Sequence, residues 1–434
     1  MTIVAGDTVA ALVAADALAE RGEPVTLYLP ERGIGGGFEP MRLGPWDLQF
    51  GLRLLETSYG PEEAPDEPPI SAYVPGMSGH RPHIAHVRAF YRSLLGDDLV
   101  EAGRPEMFVN GRRAPDIYLT VDLTRLRGAL TDEQARLIAK EADSGRTLAD
   151  LWGRSLAAAS LSQHGPTFHE LLIEPFCLKV YRWGSEGVLA TMRRKLWMPL
   201  FHSETVWEAA SNNAVTYRPR RPFHTVKGDG VVKRLLDRLQ SRAEVIRTPP
   251  LVMLDRGFLR FEEARQRRLE VRLPEGSVIG FGPETLFTAA GTPMRLERVP
   301  LTVCWVSVAE RDILSLPSTV MVPDPSVTAF RVNDGGAHED ERLISIEGAR
   351  LAHAQADLER LGIVRERACL GPVHEMHAPG FAAPTAGNRC RFAAARTEAM
   401  PILEDVTVIG GAMAFGADSL NEQVAQGLWA AEQV

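Results

Sequence analysis

Apolar and polar positions change their period several times along this chain. Thr2 to Ala5 is a short, mostly apolar run, Gly6 breaks it, and Val9 to Ala19 is rich in Ala, Leu and Val. The second run predicts a helix that ends at Arg21-Gly22, a basic last turn followed by a helix-stopping glycine. Val25 to Leu29 has the β-branched and aromatic content of a strand. Strand, turn, helix and strand make a βαβ unit, the opening of many dinucleotide-binding folds. Residues 38–55 set Asp47 and Gly51 among apolar residues, and residues 57–83, full of Pro, Glu, Ser and Gly, read as a loop or lid. Residues 84–105 follow helical spacing, and 107–119 (MFVNGRRAPDIYL) predict a hairpin turning at Asn110-Gly111. From 122 to 215 apolar residues recur every three or four positions, as at Leu123, Leu126 and Leu130, which predicts a helical lobe. Residues 223–245 read as a Gly-rich turn, an amphipathic helix and a strand; 251–281 alternate like paired strands; 300–308 are β-rich. Val406 to Ile409 is a last strand, followed by a glycine pair, a loop and a helix.

Composition narrows the classes. The 434 residues are 45% hydrophobic and 24% charged, values of an ordinary globular protein, with length enough for two to four domains or one large multi-lobed enzyme. Acidic residues (56) outnumber basic ones (48), so binding nucleic acid by bulk charge is not expected. No apolar run is long enough to span a membrane. Before Ala10 there is no basic segment, and Asp7 and Asp16 interrupt the apolar run, so a secretory signal is not expected and the location expected is cytoplasmic. The four cysteines are scattered without a CxxC pair, so neither a zinc site nor a disulfide framework is indicated; Cys177 reads as a buried structural thiol. His374-x-x-His377 has the spacing of two ligands on one helix face, but no HExxH accompanies it and no metal is expected. Neither a GxSxG elbow nor a phosphate-binding GxxxxGK[ST] loop is present.

The order strand, glycine turn, helix ending ERG, strand and Gly-Gly resembles the flavin-dependent amine oxidase superfamily, which includes protoporphyrinogen oxidases, phytoene desaturases and UDP-galactopyranose mutases. The similarity runs in order from residue 2 to 434 and is clearest at the C-terminus, EDVTVIGGAMAFGADSLNEQVAQGLWAAEQV, laid out like the family's last FAD-contacting motif. It implies an α/β fold: a Rossmann-like FAD/NAD(P)-binding domain of the amine oxidase type, with a mixed-sheet substrate domain and a helical cap lobe. The FAD-type domain is expected to be discontinuous (1–56, 223–299 and 385–434), and the substrate domain to hold 57–222 and 300–384, including the helical lobe 122–215.

The resemblance implies FAD as cofactor, with contacts at Gly6, Thr8 and Ala11 (the three glycine-fingerprint positions), Gly35 and Gly36, Val245 beside the adenine, Gly411 and Ala412, and Leu420 at the head of the last helix. Three of these contacts depart from the pattern. Thr8 stands where a glycine lets the pyrophosphate approach, Leu29 where an acidic residue bonds the ribose, and Ala412 where an aspartate addresses the flavin's ribityl–phosphate region. HELLIEPFCLKVYRWG resembles a pocket-lining segment of the mutases and protoporphyrinogen oxidases, which makes Lys179, Tyr181 and Trp183 substrate-pocket candidates, although an aromatic cluster packing the lobe is the plainer reading. Arg331, in TAFRVNDGG, matches an arginine that meets the nucleotide-sugar diphosphate in the mutases. Catalytic residues are not indicated. Two functions stay open: a flavin-dependent oxidoreductase-like enzyme acting on a small amine, polyene or sugar nucleotide, and a homologue that has lost FAD and works as a non-redox enzyme or as a scaffold subunit. A partner subunit or a homodimer is compatible with either.

Overall fold

The computed structural model describes residues 1–52, 54–57, 81–142, 153–212, 223–263 and 267–434. The loop or lid expected over 57–83 lies almost wholly outside these residues. The N-terminal βαβ unit forms as its pattern predicts: strand Thr2–Gly6, helix Val9–Glu20 and strand Val25–Pro30. These strands sit in a five-stranded parallel sheet in the order Glu244–Thr248, Val25–Pro30, Thr2–Gly6, Ser277–Gly280, Val406–Val408. Both faces of a parallel sheet must be covered, and here the alternation of side chains splits two cores. Val4, Leu27 and Leu29 pack under helices Val9–Glu20, Val231–Arg242 and Leu420–Gln433. Ile3, Ala5 and Ile279 pack on the other face against the small sheet of residues 251–272 and the helices Pro283–Ala289 and Ala386–Leu403.

The first and last helices lie unusually close. A Cβ built on Gly427 would stand 2.6 Å from the Ala10 carbonyl oxygen and 2.7 Å from Val13 Cβ. Gly427→Ala therefore loses about 1–3 kcal/mol to overpacking and regains up to about 1 kcal/mol of helix propensity. The expected result is a variant about 1–2 kcal/mol less stable in urea unfolding; a variant as stable as the wild type would show that the two helices do not meet here.

The second large sheet has seven strands in the order Leu370–Ala378, Leu301–Ala309, Glu341–Glu347, Arg331–His338, Thr319–Met321, Glu106–Val109, Arg112–Pro115, antiparallel except between Thr319–Met321 and Glu106–Val109. One face, with Cys304, Val306, Val332, Ile344 and Ile346, packs on helix Leu351–Arg360. The hairpin at Asn110-Gly111 forms, with both turn residues at positive φ. The region 122–215 supplies the helices Asp132–Glu141, Leu156–His164, Glu174–Val180 and Ser203–Asn212. Among the described residues no helix is long and apolar enough to cross a membrane.

Some local expectations need correction. Helical spacing was expected over 84–105, but the helix is Arg81–Leu95 and the strand Leu99–Glu101 follows. Gly96-Asp97-Asp98 between them are poor helix formers. His374 and His377 are on strand Leu370–Ala378, where residues three apart point to opposite faces, not along one helix face.

Candidate functional site

Two regions gather the residues singled out by the sequence. The first is the cradle at the C-terminal ends of the parallel strands. Thr8 is the N-cap of the first helix: its hydroxyl accepts from the Ala11 N–H (3.3 Å) and donates to the Gly280 carbonyl (2.9 Å). The Ala10 N–H is taken by Gln423 Oε1 from the last helix (3.4 Å). Gln423 Nε2 in turn donates to the Asp418 carbonyl (3.0 Å). The buried pair Gly410-Gly411 is tied in the same way, the Gly410 N–H donating to Gln426 Oε1 (2.6 Å). The last helix, beginning at Leu420, is closed by its own capping box, Ser419 with Glu422. Beside the first turn, burial pushes the Asp7 carboxyl up to about 6, against hydrogen bonds from its own N–H and that of Gly282.

Gly35 is at positive φ, and a Cβ there would be 2.6 Å from Val232; its N–H reaches the Asp7 carbonyl (2.6 Å). Gly36 is exposed. Val245 is half-buried and pairs with Leu27 across the sheet. Leu29 is 0% exposed, and Ala412 is buried in the opposite core. Glu31, two residues beyond Leu29, is held by Arg267.

The second region is the remaining face of the seven-stranded sheet. Arg331 lies directly opposite Glu347, Asn333 opposite Ser345, and Thr319 opposite Asn333. Directly paired residues share a face, so their side chains form one buried polar strip. Arg331 donates to both Glu347 oxygens (Nε to Oε1 3.1 Å, Nη2 to Oε2 2.5 Å), and both side chains are 1% exposed. Asn333 Nδ2 donates to Glu347 Oε1 (2.9 Å) and Ser345 Oγ (3.1 Å), and its Oδ1 accepts from Thr319 (2.8 Å). The Trp197 ring lies 4.0 Å from the guanidinium carbon. Trp305, opposite Ser345, continues the same face; Phe50 meets it edge-on at 5.3 Å, and the next residue, Gly51, stands near Arg331 Nη2. Among the described residues, neither Arg331 Nη1 nor Trp305 Nε1 has a hydrogen-bond partner, and both are buried.

Between the two regions Lys195 pairs with Asp418 and lies beside buried Glu422. Burial pushes the Lys195 ammonium down to about 8, with Glu422 partly offsetting, and raises the Glu422 carboxyl. This pair joins the 190–196 turn to the loop before the last helix.

Of the pocket candidates, Lys179 donates to the carbonyls of Val322 (2.9 Å), Asp324 (2.6 Å) and Ala329 (3.0 Å), which uses all three of its N–H groups as a structural tie. Tyr181 is buried beside Trp183, at 5.2 Å between ring centroids, whereas Trp183 is 47% exposed beneath Arg182. Arg331 alone of the four reaches the polar strip. Sequence reasoning missed Glu347, Asn333, Ser345 and Trp305. Their signal was present as polar residues spaced two apart within β-rich runs, Arg331-x-Asn333 and Ser345-x-Glu347.

No family model matches the chain, and no curated protein matches it in sequence. Solved structures do. A reduced UDP-galactopyranose mutase superposes with a TM-score of 0.73 at 12% identity, covering 100% of this chain and 94% of its own. A putative protoporphyrinogen oxidase from Exiguobacterium sp. 255-15 gives 0.62 at 15%, covering 100% and 98%. A putrescine oxidase bound to putrescine gives 0.55 at 14%, again 100% and 98%. The likeness is one of fold, and it extends over the whole chain: the α/β architecture is the one these structures share.

That architecture implies FAD, and the residues present do not fit it. Two of the N–H groups that would meet a diphosphate on the first helix, those of Ala10 and Ala11, are taken by Gln423 and Thr8, and the last helix is capped by Ser419. Leu29 offers no acceptor to a ribose and is core. Chemically, the polar strip can do something different. A buried N–H donor without a partner in an aromatic-walled setting can bind an acceptor oxygen.

Proposed function

We propose that the chain is an enzyme of the small-molecule type, whose ligand lies against the Arg331–Trp305 face of the seven-stranded sheet. The observation that carries this is a pair of buried donors on one face, Arg331 Nη1 and Trp305 Nε1, neither with a hydrogen-bond partner among the described residues. A buried ion pair is weak evidence for stability, because an apolar replacement of similar volume is often as stable. Orphaned donors beside it call for a functional reason. Glu347 cancels the charge of Arg331, which disfavours a sugar-nucleotide diphosphate. An ammonium has no acceptor for either donor, which disfavours an amine. An uncharged molecule with a carbonyl or hydroxyl oxygen and an apolar body fits both the donors and the walls of Trp197 and Phe50. None of these contacts passes through a flavin.

Ligand-observed NMR with acetophenone, an uncharged aromatic ketone, and with inorganic pyrophosphate tests this. Acetophenone is expected to bind saturably, and Trp305→Phe, which removes the N–H and leaves a smaller aromatic ring, to weaken it about tenfold. Tighter binding of pyrophosphate, or equal binding by wild type and Trp305→Phe, would count against the site.

A further inference from the structure

We infer that this chain has closed its dinucleotide cradle with its own side chains and works without FAD. The inference does not rest on the ligand reading above, because its residues lie in the other sheet. A helix N-terminus is attractive to phosphate because its first N–H groups are free and its dipole is positive there. Here that position is filled from two directions. Thr8 caps from the chain itself and is braced against the opposite loop: a Cβ on Gly410 would lie 3.0 Å from both Thr8 Cγ2 and Thr8 Oγ1. Gln423 reaches over from the last helix to the Ala10 N–H, and Gln426, one turn on, locks Gly410.

The two glutamines make the closure cooperative. Each uses its amide oxygen on a cradle N–H and its amide nitrogen on a carbonyl of the 417–418 loop, Gln423 on Asp418 (3.0 Å) and Gln426 on Ala417 (2.8 Å). A diphosphate entering the cradle would have to displace Gln423, leave its amide nitrogen bond unsupported, and settle beside the Asp7 carboxyl group. A second, separate contact is also gone, since the ribose position is filled by Leu29, an apolar side chain of the core. The close approach of the two helices at Gly427 holds the last helix, and with it both glutamines, against the first.

The experiment uses the purified full-length chain, titrated with FAD by fluorescence quenching and read by visible absorption after desalting. Wild type is expected to show neither saturable quenching nor a retained flavin band. Thr8→Gly with Gln423→Ala, which opens the cradle, is expected to bind FAD at least tenfold more tightly than wild type. Gln423→Glu keeps an acceptor on Ala10 but loses the donor to the Asp418 carbonyl and adds a negative charge, and is expected to stay without FAD while melting below wild type. Should the double variant fail to fold, Gln423→Ala alone carries the comparison. Retained flavin in the wild type overturns the inference, and so does an opened variant that binds FAD no better than wild type.

Discussion

Replacing Arg331 by methionine is expected to cost about 3–5 kcal/mol of stability, because it strands the Glu347 carboxylate in a site where it is 1% exposed. The loss has a definite origin. Glu347 accepts from Arg331 Nε and Nη2 and from Asn333, and removing the guanidinium leaves a buried charge with one amide donor. The companion change Glu347→Gln removes that charge and keeps an oxygen for Asn333. The double variant is therefore expected to recover at least about 2 kcal/mol relative to Arg331→Met alone. Urea unfolding of the two single variants and the double one measures the coupling. A single variant that loses less than about 1 kcal/mol would mean that the pair is solvated, contrary to the geometry.

Acid is expected to weaken the fold through His164. The Phe201 N–H donates to His164 Nε2 (2.8 Å), so Nδ1 carries the proton and meets Ser160 Oγ (3.1 Å); the ring is fully buried and neutral. Burial, and then the neighbouring His169, push its pKa down from 6.5 to about 3. A depressed histidine binds fewer protons folded than unfolded. Its contribution is thus intact above about pH 6.5 and is lost progressively as the pH falls towards 3. Between pH 7 and pH 5 this amounts to about 2 kcal/mol. His164→Gln, which can still accept from Phe201 through its side-chain oxygen, should lose about 2 kcal/mol less over the same interval in urea unfolding. Parallel pH profiles for the two proteins would remove His164 as the cause.

The segments legible in the sequence are those whose hydrophobic period is local. The N-terminal βαβ unit, the Asn110-Gly111 hairpin and the last strand and helix all carry their own signals, and all are formed. Thr8 shows where local reading stops short. As a missing glycine it reads as damage to a phosphate loop; as a threonine three residues before a helical N–H it reads as a cap, and the structure uses it so. The partner that completes the closure, Gln423, is 413 residues from Ala10, and nothing in one sequence ties the two. Lys179 is similar: three carbonyls from 143 to 150 residues away make a conspicuous lysine structural. Arg331 was visible as a polar group in a β-run, but its neutralisation by Glu347 depends on strand register, which alternation alone does not fix.

The parallel sheet bears on how the protein is made. Its outermost strand, Val406–Val408, pairs with Ser277–Gly280, so that edge stays unsatisfied until more than a hundred further residues have been translated. At ribosomal speeds this is on the order of ten seconds, during which a nascent chain carries an open, apolar strand edge. The intervening residues supply five of the seven strands of the second sheet, so the parallel sheet can finish only after the other has been synthesised. High contact order of this kind slows folding and exposes the chain to aggregation. Efficient production is therefore expected to depend on chaperones that shield the Ser277–Gly280 edge.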